Sequence, residues 1–196
     1  MSKRYIYIKK RYILLFTIID FLGSIIFSIS SFFFRQNRNL EVKKILVLEL
    51  AHIGDVIAVI PAVHLLRKRF PNSSITAVVG PWAKEVLVSH PDIDEIFVYR
   101  AFWFDRANKP FSLTQTLAFI NFLRKNNFDL GIDTRGDFGV ILLMWLGRVR
   151  KRIGYAFAGG AFLLSDVVPF NVLLRQDKHQ IEHNMSLISS IPEGQI

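Results

Sequence analysis

The stretch that decides the fold is ILVLELAHIGDVIAVIPAVHLLRKRFP, residues 45–71. An aliphatic run stops at 51–55, AHIGD, and a helical pattern of apolar residues begins at once. A short apolar run followed directly by a helical period predicts a buried strand and a helix that packs on it. The Gly54-Asp55 pair therefore lies at the carboxyl end of a strand, where ligands bind in open α/β sheets.

Two interpretations of this pair remain open from the residues alone. In the first, Gly54 makes a tight turn and Asp55 is the N-cap of the helix, a position that favours Asp and its negative charge. In the second, Asp55 is a general base at the lip of a cleft. Removal of water strengthens a carboxylate as a base, whereas a helix N-terminus weakens it, so the surroundings must decide.

The rest of the chain repeats the alternation of strand and helix. This pattern predicts an α/β fold with a Rossmann-like parallel sheet and helices on both faces. The strands are predicted at 44–50, 73–80, 94–100, 128–137 (which runs into a polar turn) and 151–157, and the helices at 55–70, 82–90, 112–127, 138–147 and 179–191. Gly54-Asp55, Arg100 and the turn 134–137 all follow strands, so we expect them to converge on one cleft.

Charge and composition narrow the class of protein. The 196 residues contain no cysteine, which excludes disulfides and thiolate metal sites. Of the net charge of +9, residues 1–44 carry +7 and the remainder only +2. The basic charge thus belongs to the N-terminal segment, and the part that follows gives little support to a nucleic-acid interface.

The N-terminal segment predicts contact with a membrane. Residues 12–34 hold one charge, Asp20, and as a helix they are long enough to cross a hydrocarbon core of roughly 30 Å. Polar residues share one side of this helix, so it either spans the bilayer against a partner or lies flat in the interface. Basic residues flank both ends and leave the choice open. A core helix of a soluble domain is the remaining alternative. It is disfavoured, because such long apolar runs are uncommon in soluble domains.

Residues 43–100 resemble the opening of glycosyltransferase family 9, the ADP-heptose:lipopolysaccharide heptosyltransferases. The resemblance rests on IGDVIAVIPAV, followed at similar spacing by RFPNSSITAVVGPWAKEVL and PDIDEI. It continues through FDLGIDTRGD and RIGY to HQIEHNMSLI, and so covers about residues 43–191. A dinucleotide-binding domain is disfavoured, because the first turn lacks G-x-G-x-x-G.

The resemblance implies an inverting transferase of GT-B architecture, in which this half binds a lipid-linked saccharide such as the lipopolysaccharide core. By match, Asp55 is the catalytic base, and the reaction needs neither a metal nor a cofactor. The donor, ADP-heptose for the family, is bound by a second domain. The protein is then expected at the cytoplasmic face of the inner membrane.

Acceptor-binding residues are predicted around this base. Gly54 lets the acceptor approach the backbone closely. His52 either orients the acceptor or its phosphate, or is a solvated loop histidine. Arg135 offers a cationic fork to acceptor carboxylates or phosphates, or else is a surface arginine beside a helix; its neighbour is Gly136. Arg100 borders the aromatic loop 101–111 and is a further candidate. A metal site at Asp133 and Asp137 is less favoured than a capped turn.

The domain boundaries follow from the same comparison. Residues 1–42 are assigned to the membrane-associating segment, 43–191 to the acceptor domain and 192–196 to the start of a linker. A donor domain is expected in cis or in trans, which leaves a fragment, half of a split enzyme or a truncated relative as explanations. The alternative function, from a different class, is a non-catalytic membrane-bound binding or assembly module on the same fold.

Overall fold

The structure, a computed structural model, describes Gly23 and residues 41–105, 110–169 and 179–191. The apolar helix predicted at 12–34 lies outside these residues except for Gly23, and so does the predicted linker 192–196. In the part of the chain that is described, no helix has both the length and the hydropathy needed to cross a membrane.

The architecture is the predicted Rossmann-like α/β fold. Six parallel strands form one sheet in the order β3-β2-β1-β4-β5-β6. The strands are β1 (Lys44–Glu49), β2 (Ser74–Val79), β3 (Glu95–Val98), β4 (Leu130–Asp133), β5 (Lys151–Gly154) and β6 (Asp166–Val167). The helices are α1 (Ile53–Arg69), α2 (Lys84–Leu87), α3 (Leu113–Asn126), α4 (Phe138–Leu146) and α5 (Gln180–Ser189), with a short 3₁₀ turn at Ala161–Leu163.

Strand β1 divides the core between the two faces of the sheet. Because side chains alternate along a strand, Leu46 and Leu48 point to the face that α3 and α4 cover, whereas Ile45 and Val47 point to the face of α1 and α5. From Ile45 onward the residues of β1 are buried on both faces, which explains why the sequence reads as a continuous apolar run.

Most element boundaries differ little from the prediction, but two features were missed. Strand β6 has only two residues, and both are exposed, so no apolar pattern marks it. The 3₁₀ turn follows Gly160, whose φ of 85° is the left-handed conformation that glycine favours. Ser112 is the N-cap of α3, since its hydroxyl accepts a hydrogen bond from the Gln115 amide.

The strand order reverses beside β1. The chain moves from β1 to β2 and β3 on one side, and then returns to place β4 on the other side. In sheets of this kind the crevice outside the carboxyl ends of the strands at such a switch point binds ligands. The carboxyl ends of β1 and β4, at Glu49 and Asp133, are therefore where a site is expected.

Candidate functional site

A cavity of about 700 Å³ opens at the carboxyl end of the sheet. Its wall combines the start of α1 with the loops that follow β2 and β3, and it is lined by His52, Ile53, Gly54, Pro81, Trp82, Arg100, Phe104 and Asp105. Three of the predicted site residues thus line one hollow. Its size and its mixture of aromatic and charged side chains suit a polar ligand of moderate size.

Asp55 directly follows Gly54, which lines the cavity, but Asp55, Arg135 and Gly136 are not themselves among the lining residues. Helix α1 begins at Ile53, so the N-cap is His52 and the interpretation of Asp55 as the N-cap is wrong. Asp55 instead is the third residue of the helix, where its Oδ2 accepts a hydrogen bond of 3.2 Å from the His52 amide. This is the reciprocal half of a capping box, in which an acidic residue at the third helical position reaches back to the cap.

Gly54 precedes Asp55 and faces open space. A Cβ built on Gly54 would meet no atom within 4 Å among the residues that the structure describes. Packing within the domain therefore does not require glycine here, and the space beside it belongs to the cavity.

The turn after β4 is held by two aspartates. Both oxygens of Asp133 accept backbone hydrogen bonds of 3.0 Å, one from the Arg135 amide and the other from the Asp137 amide. Asp137 is the N-cap of α4 and accepts from two amides of its first turn. Gly136 has a φ of 70°, and a Cβ there would lie 2.7 Å from the Tyr155 carbonyl oxygen, so the fold itself demands glycine at this position. The two aspartates thus cap a turn, as the sequence favoured.

This turn aims Arg135 at Asp55. The guanidinium Nη1 lies 2.8 Å from Asp55 Oδ1, and the two side chains are 31% and 25% exposed. The Arg135 Cζ also lies 5.4 Å from the centre of the Phe104 ring, which lines the cavity. An ion pair at this exposure contributes little to folding, yet it sets a cation and a carboxylate side by side, next to residues that line the cavity.

Arg100, which lines the cavity, is held by a buried carboxylate. Its Nη1 lies 2.7 Å from Oδ2 of the buried Asp105, and its Cζ lies 6.0 Å from the Trp82 ring. The Trp82 indole N–H donates to the carbonyl oxygen of Ala51, which ties the loop after β2 to the loop after β1. Trp82 and Asp105 were not identified from the sequence. A tryptophan directly after Gly80-Pro81, at the end of a strand, was the available signal.

Glu49 is a buried acid beneath the site, and sequence reasoning missed it. Its side chain ends β1 and is almost inaccessible to solvent. Burial raises the pKa of Glu49 from 4.5 to about 7, against the opposing effects of the Thr134 hydroxyl and the Arg135 charge. A single acid in the aliphatic run ILVLEL was the visible signal, since charges are seldom buried without a reason.

Burial favours the neutral form of Glu49, and the hydrogen bonds around it can be satisfied in that form. Thr134 Oγ1 lies 2.7 Å from Glu49 Oε2 and 3.1 Å from the Leu48 carbonyl oxygen, but a hydroxyl has only one proton to donate. If Glu49 is protonated, it donates to Thr134, which then donates to Leu48, and both contacts are satisfied. The other oxygen, Oε1, accepts from the Ala51 amide at 3.2 Å in either state.

The two aspartates of the turn share this character. Burial raises the pKa of Asp133 well above its usual value and also raises the pKa of Asp137. Across the described ranges, no group of three or more His, Cys, Asp or Glu side chains is arranged to hold a metal ion. The carboxyl groups of the turn are therefore accounted for by the backbone amides that they accept from.

Comparison with known proteins supports the fold. No family profile matches the sequence, and no curated protein matches it significantly. Among solved structures, the chain is similar to E. coli ADP-heptose lps heptosyltransferase II, at 18% identity and a TM-score of 0.61 over 74% of this chain and 40% of that one.

Two further structures give the same result. A glycosyl transferase family 9 protein from Veillonella parvula matches at 22% identity with a TM-score of 0.61, over 77% of this chain and 41% of that one. The E. coli heptosyltransferase WaaC with ADP matches at 16% identity with a TM-score of 0.59, over 74% of this chain and 46% of that one. The chain spans less than half the length of each. At these identities the likeness shows that the chain has the Rossmann-like fold of part of these glycosyltransferases.

Proposed function

We propose that this chain is the acceptor half of an inverting glycosyltransferase of the heptosyltransferase type. It would move a sugar from a nucleotide-sugar such as ADP-heptose to a lipid-linked saccharide such as the lipopolysaccharide core. The observation that carries the proposal is the position of Asp55. Its carboxylate is partly exposed beside a cation, and it directly follows Gly54, which lines the cavity at the carboxyl end of the sheet.

In the proposed reaction Asp55 acts as the general base. An acceptor hydroxyl gives its proton to the carboxylate while its oxygen attacks the anomeric carbon, and the bond to the nucleoside diphosphate breaks on the opposite side. The electron pair of that bond leaves with the diphosphate, and the configuration inverts because attack and departure take place on opposite sides of the anomeric carbon. The His52 amide holds Asp55 Oδ2, which fixes the carboxylate in place before the substrate arrives.

Arg135 has a second role in this proposal. In the described structure its guanidinium occupies Asp55 Oδ1, the atom that must receive a proton. A carboxylate or phosphate on the acceptor competes for the same guanidinium, because a planar fork binds such groups in bidentate fashion. Acceptor binding would then release Asp55 Oδ1 for the reaction, so that an anionic acceptor prepares its own base.

Arg100, Trp82 and Phe104 supply the rest of the proposed acceptor site. An aromatic face binds the apolar face of a sugar ring, and Arg100, held by Asp105, offers further donors. The donor nucleotide would be bound by a second Rossmann-like half, in cis or in trans, on the far side of the cleft. The proposed place of action is the cytoplasmic face of the inner membrane, where residues 1–42 would keep the chain close to its acceptor.

The test is Asp55→Asn in the protein together with its donor half. Release of ADP from ADP-heptose in the presence of lipopolysaccharide core acceptor is measured. We expect kcat to fall about 10²–10⁴-fold, as when a general base is lost, while binding of ADP-heptose stays unchanged. The matched control is Asp166→Asn, which also removes a partly exposed carboxylate from an ion pair, here with Lys151 at the sheet edge.

Retained turnover in Asp55→Asn, within tenfold of wild type, would remove Asp55 from the base role. A wild-type chain that binds the saccharide but releases no ADP with any donor half would instead support the binding or assembly module.

A further inference from the structure

An exposed apolar patch lies next to the cavity. We define the aromatic patch as Phe102, Phe111, Leu113 and Leu117, whose exposed fractions are 44%, 53%, 59% and 50%. The rings of Phe102 and Phe111 are 5.3 Å apart, and Leu113 and Leu117 are one turn apart on α3. Single exposed apolar residues need no explanation, whereas a cluster of large ones marks an interaction surface.

The aromatic patch is continuous with the cavity. The Phe102 ring lies 5.1 Å from the Trp103 ring, which lies 6.0 Å from the ring of Phe104. Phe104 lines the cavity and faces Arg135. A row of rings therefore leads from the exposed surface to the mouth of the proposed acceptor site, so whatever covers the patch also borders that mouth.

Gly23 lies against one particular side of the domain. This glycine is at the centre of the apolar run 12–34, and a Cβ on it would lie 2.6 Å from ring carbons of Phe162. Phe162 packs against the same core cluster as Trp103 and Phe104, on the face of the sheet that α3 and α4 cover. Gly23, the described residue of this apolar run, thus lies on the side of the domain that carries the aromatic patch.

We propose that the aromatic patch docks on the surface of a lipid bilayer. Phenylalanine and leucine enter the boundary between headgroups and acyl chains, while the polar rest of the domain stays in water. The saccharide of a membrane-embedded acceptor would then enter the cavity along the row of rings without leaving the lipid surface. This last step rests on the proposed function, whereas the docking itself does not.

The absence of cysteine makes the test direct. Phe111→Cys and Leu117→Cys are each made in the full chain and labelled with an environment-sensitive fluorophore. Val88→Cys and Val167→Cys are the matched controls, because both positions are exposed valines away from the patch. Vesicles of phosphatidylethanolamine and phosphatidylglycerol are added, with and without a nitroxide-labelled lipid.

We expect the labels at the two patch positions to shift to the blue on vesicles and to be quenched by the nitroxide lipid. The control labels should stay unquenched even though the chain is bound. Equal behaviour at all four positions, or no quenching at the patch, would overturn the proposal.

Two other occupants give distinct results. A blue shift without vesicles that grows with protein concentration would mean that a second copy covers the patch. The same shift at every concentration would mean that the chain covers its own patch, and either result overturns docking on lipid. The measurement uses no substrate, so it does not depend on whether Asp55 is the base. Quenching at the patch of a protein that shows no transfer would contradict only the proposed function.

Discussion

Two carboxyl groups on either side of the loop between β1 and α1 have opposite surroundings. Glu49 ends β1 and is sealed beneath the loop, with Thr134 and the Ala51 amide as its partners. Asp55 follows six residues later, in the first turn of α1, and stands a quarter exposed beside Arg135. Burial favours the neutral acid at Glu49, whereas Asp55 lies 2.8 Å from a guanidinium nitrogen.

The difference separates a structural acid from one that is available for chemistry. Both oxygens of Glu49 have hydrogen-bond partners within the fold, and solvent hardly reaches them. Asp55 is paired with a cation that an incoming anion can take. Position next to a switch point is therefore not enough to identify a catalytic acid, and the partners of each oxygen decide.

The largest effect that sharpens this comparison is expected from Glu49→Gln. The folded protein holds the Glu49 proton up to a pKa of about 7, whereas the unfolded chain releases it near 4.5. The native state thus binds more protons between these values, and the stability of the wild type falls as pH rises from 4.5 to 7. A displacement of this size corresponds to about 3 kcal/mol.

Glutamine imitates the neutral acid, because its amide donates to Thr134 and its oxygen accepts from the Ala51 amide. We expect the variant to match the wild type near pH 4 and to be more stable by about 3 kcal/mol at pH 8. Urea unfolding across this range measures the difference. If wild type and variant lose stability in parallel, Glu49 does not carry the proton and the contrast with Asp55 fails.

A smaller effect is expected from Thr134→Val, which tests the buried partner. Valine keeps the shape but removes the hydroxyl, so the Leu48 carbonyl and the Glu49 carboxyl each lose a hydrogen bond inside the protein. Leaving such groups unpaired costs about 2 kcal/mol of unfolding free energy. Thr134→Ser is the control, since it keeps the hydroxyl; urea unfolding at pH 5 should show a clearly smaller loss. Equal losses in both variants would mean that the methyl group, and not the hydroxyl, matters.

Much of the scaffold follows from the sequence, because it depends on periodicity. The apolar run of β1 and the helical spacing of α1 locate the switch point, and a polar turn after an apolar strand locates Arg135. The boundary of α1 was misplaced by two residues, since Asp is a good N-cap and His52 is not an obvious one. Here the reach of Asp55 back to the His52 amide outweighed the intrinsic preference.

The pairing across the site was beyond the sequence. That Arg135 meets Asp55 depends on how Asp133 holds the turn and on the φ of Gly136, neither of which a pattern of apolar residues specifies. Trp82 and Asp105 were missed for a similar reason. Trp82 bonds to Ala51, which is distant in sequence, and Asp105 is a loop residue whose burial against Arg100 no local pattern indicates. Local patterns predict elements, whereas a site depends on contacts between them.

The smallest effect is expected from Gly54→Ala, which tests whether the space beside Asp55 is kept for a ligand. A Cβ at Gly54 meets nothing in the described structure, and alanine restricts the unfolded chain, so the variant should be more stable by about 0.5 kcal/mol. Acceptor binding in the complete protein should nevertheless weaken, because the methyl group enters the cavity. Gly136→Ala is the matched contrast: its left-handed φ and the Tyr155 oxygen make alanine cost at least about 1 kcal/mol. Unchanged acceptor affinity in Gly54→Ala would show that the saccharide does not lie in the open space beside Asp55. Asp55 would then be a partly exposed carboxylate with no substrate next to it.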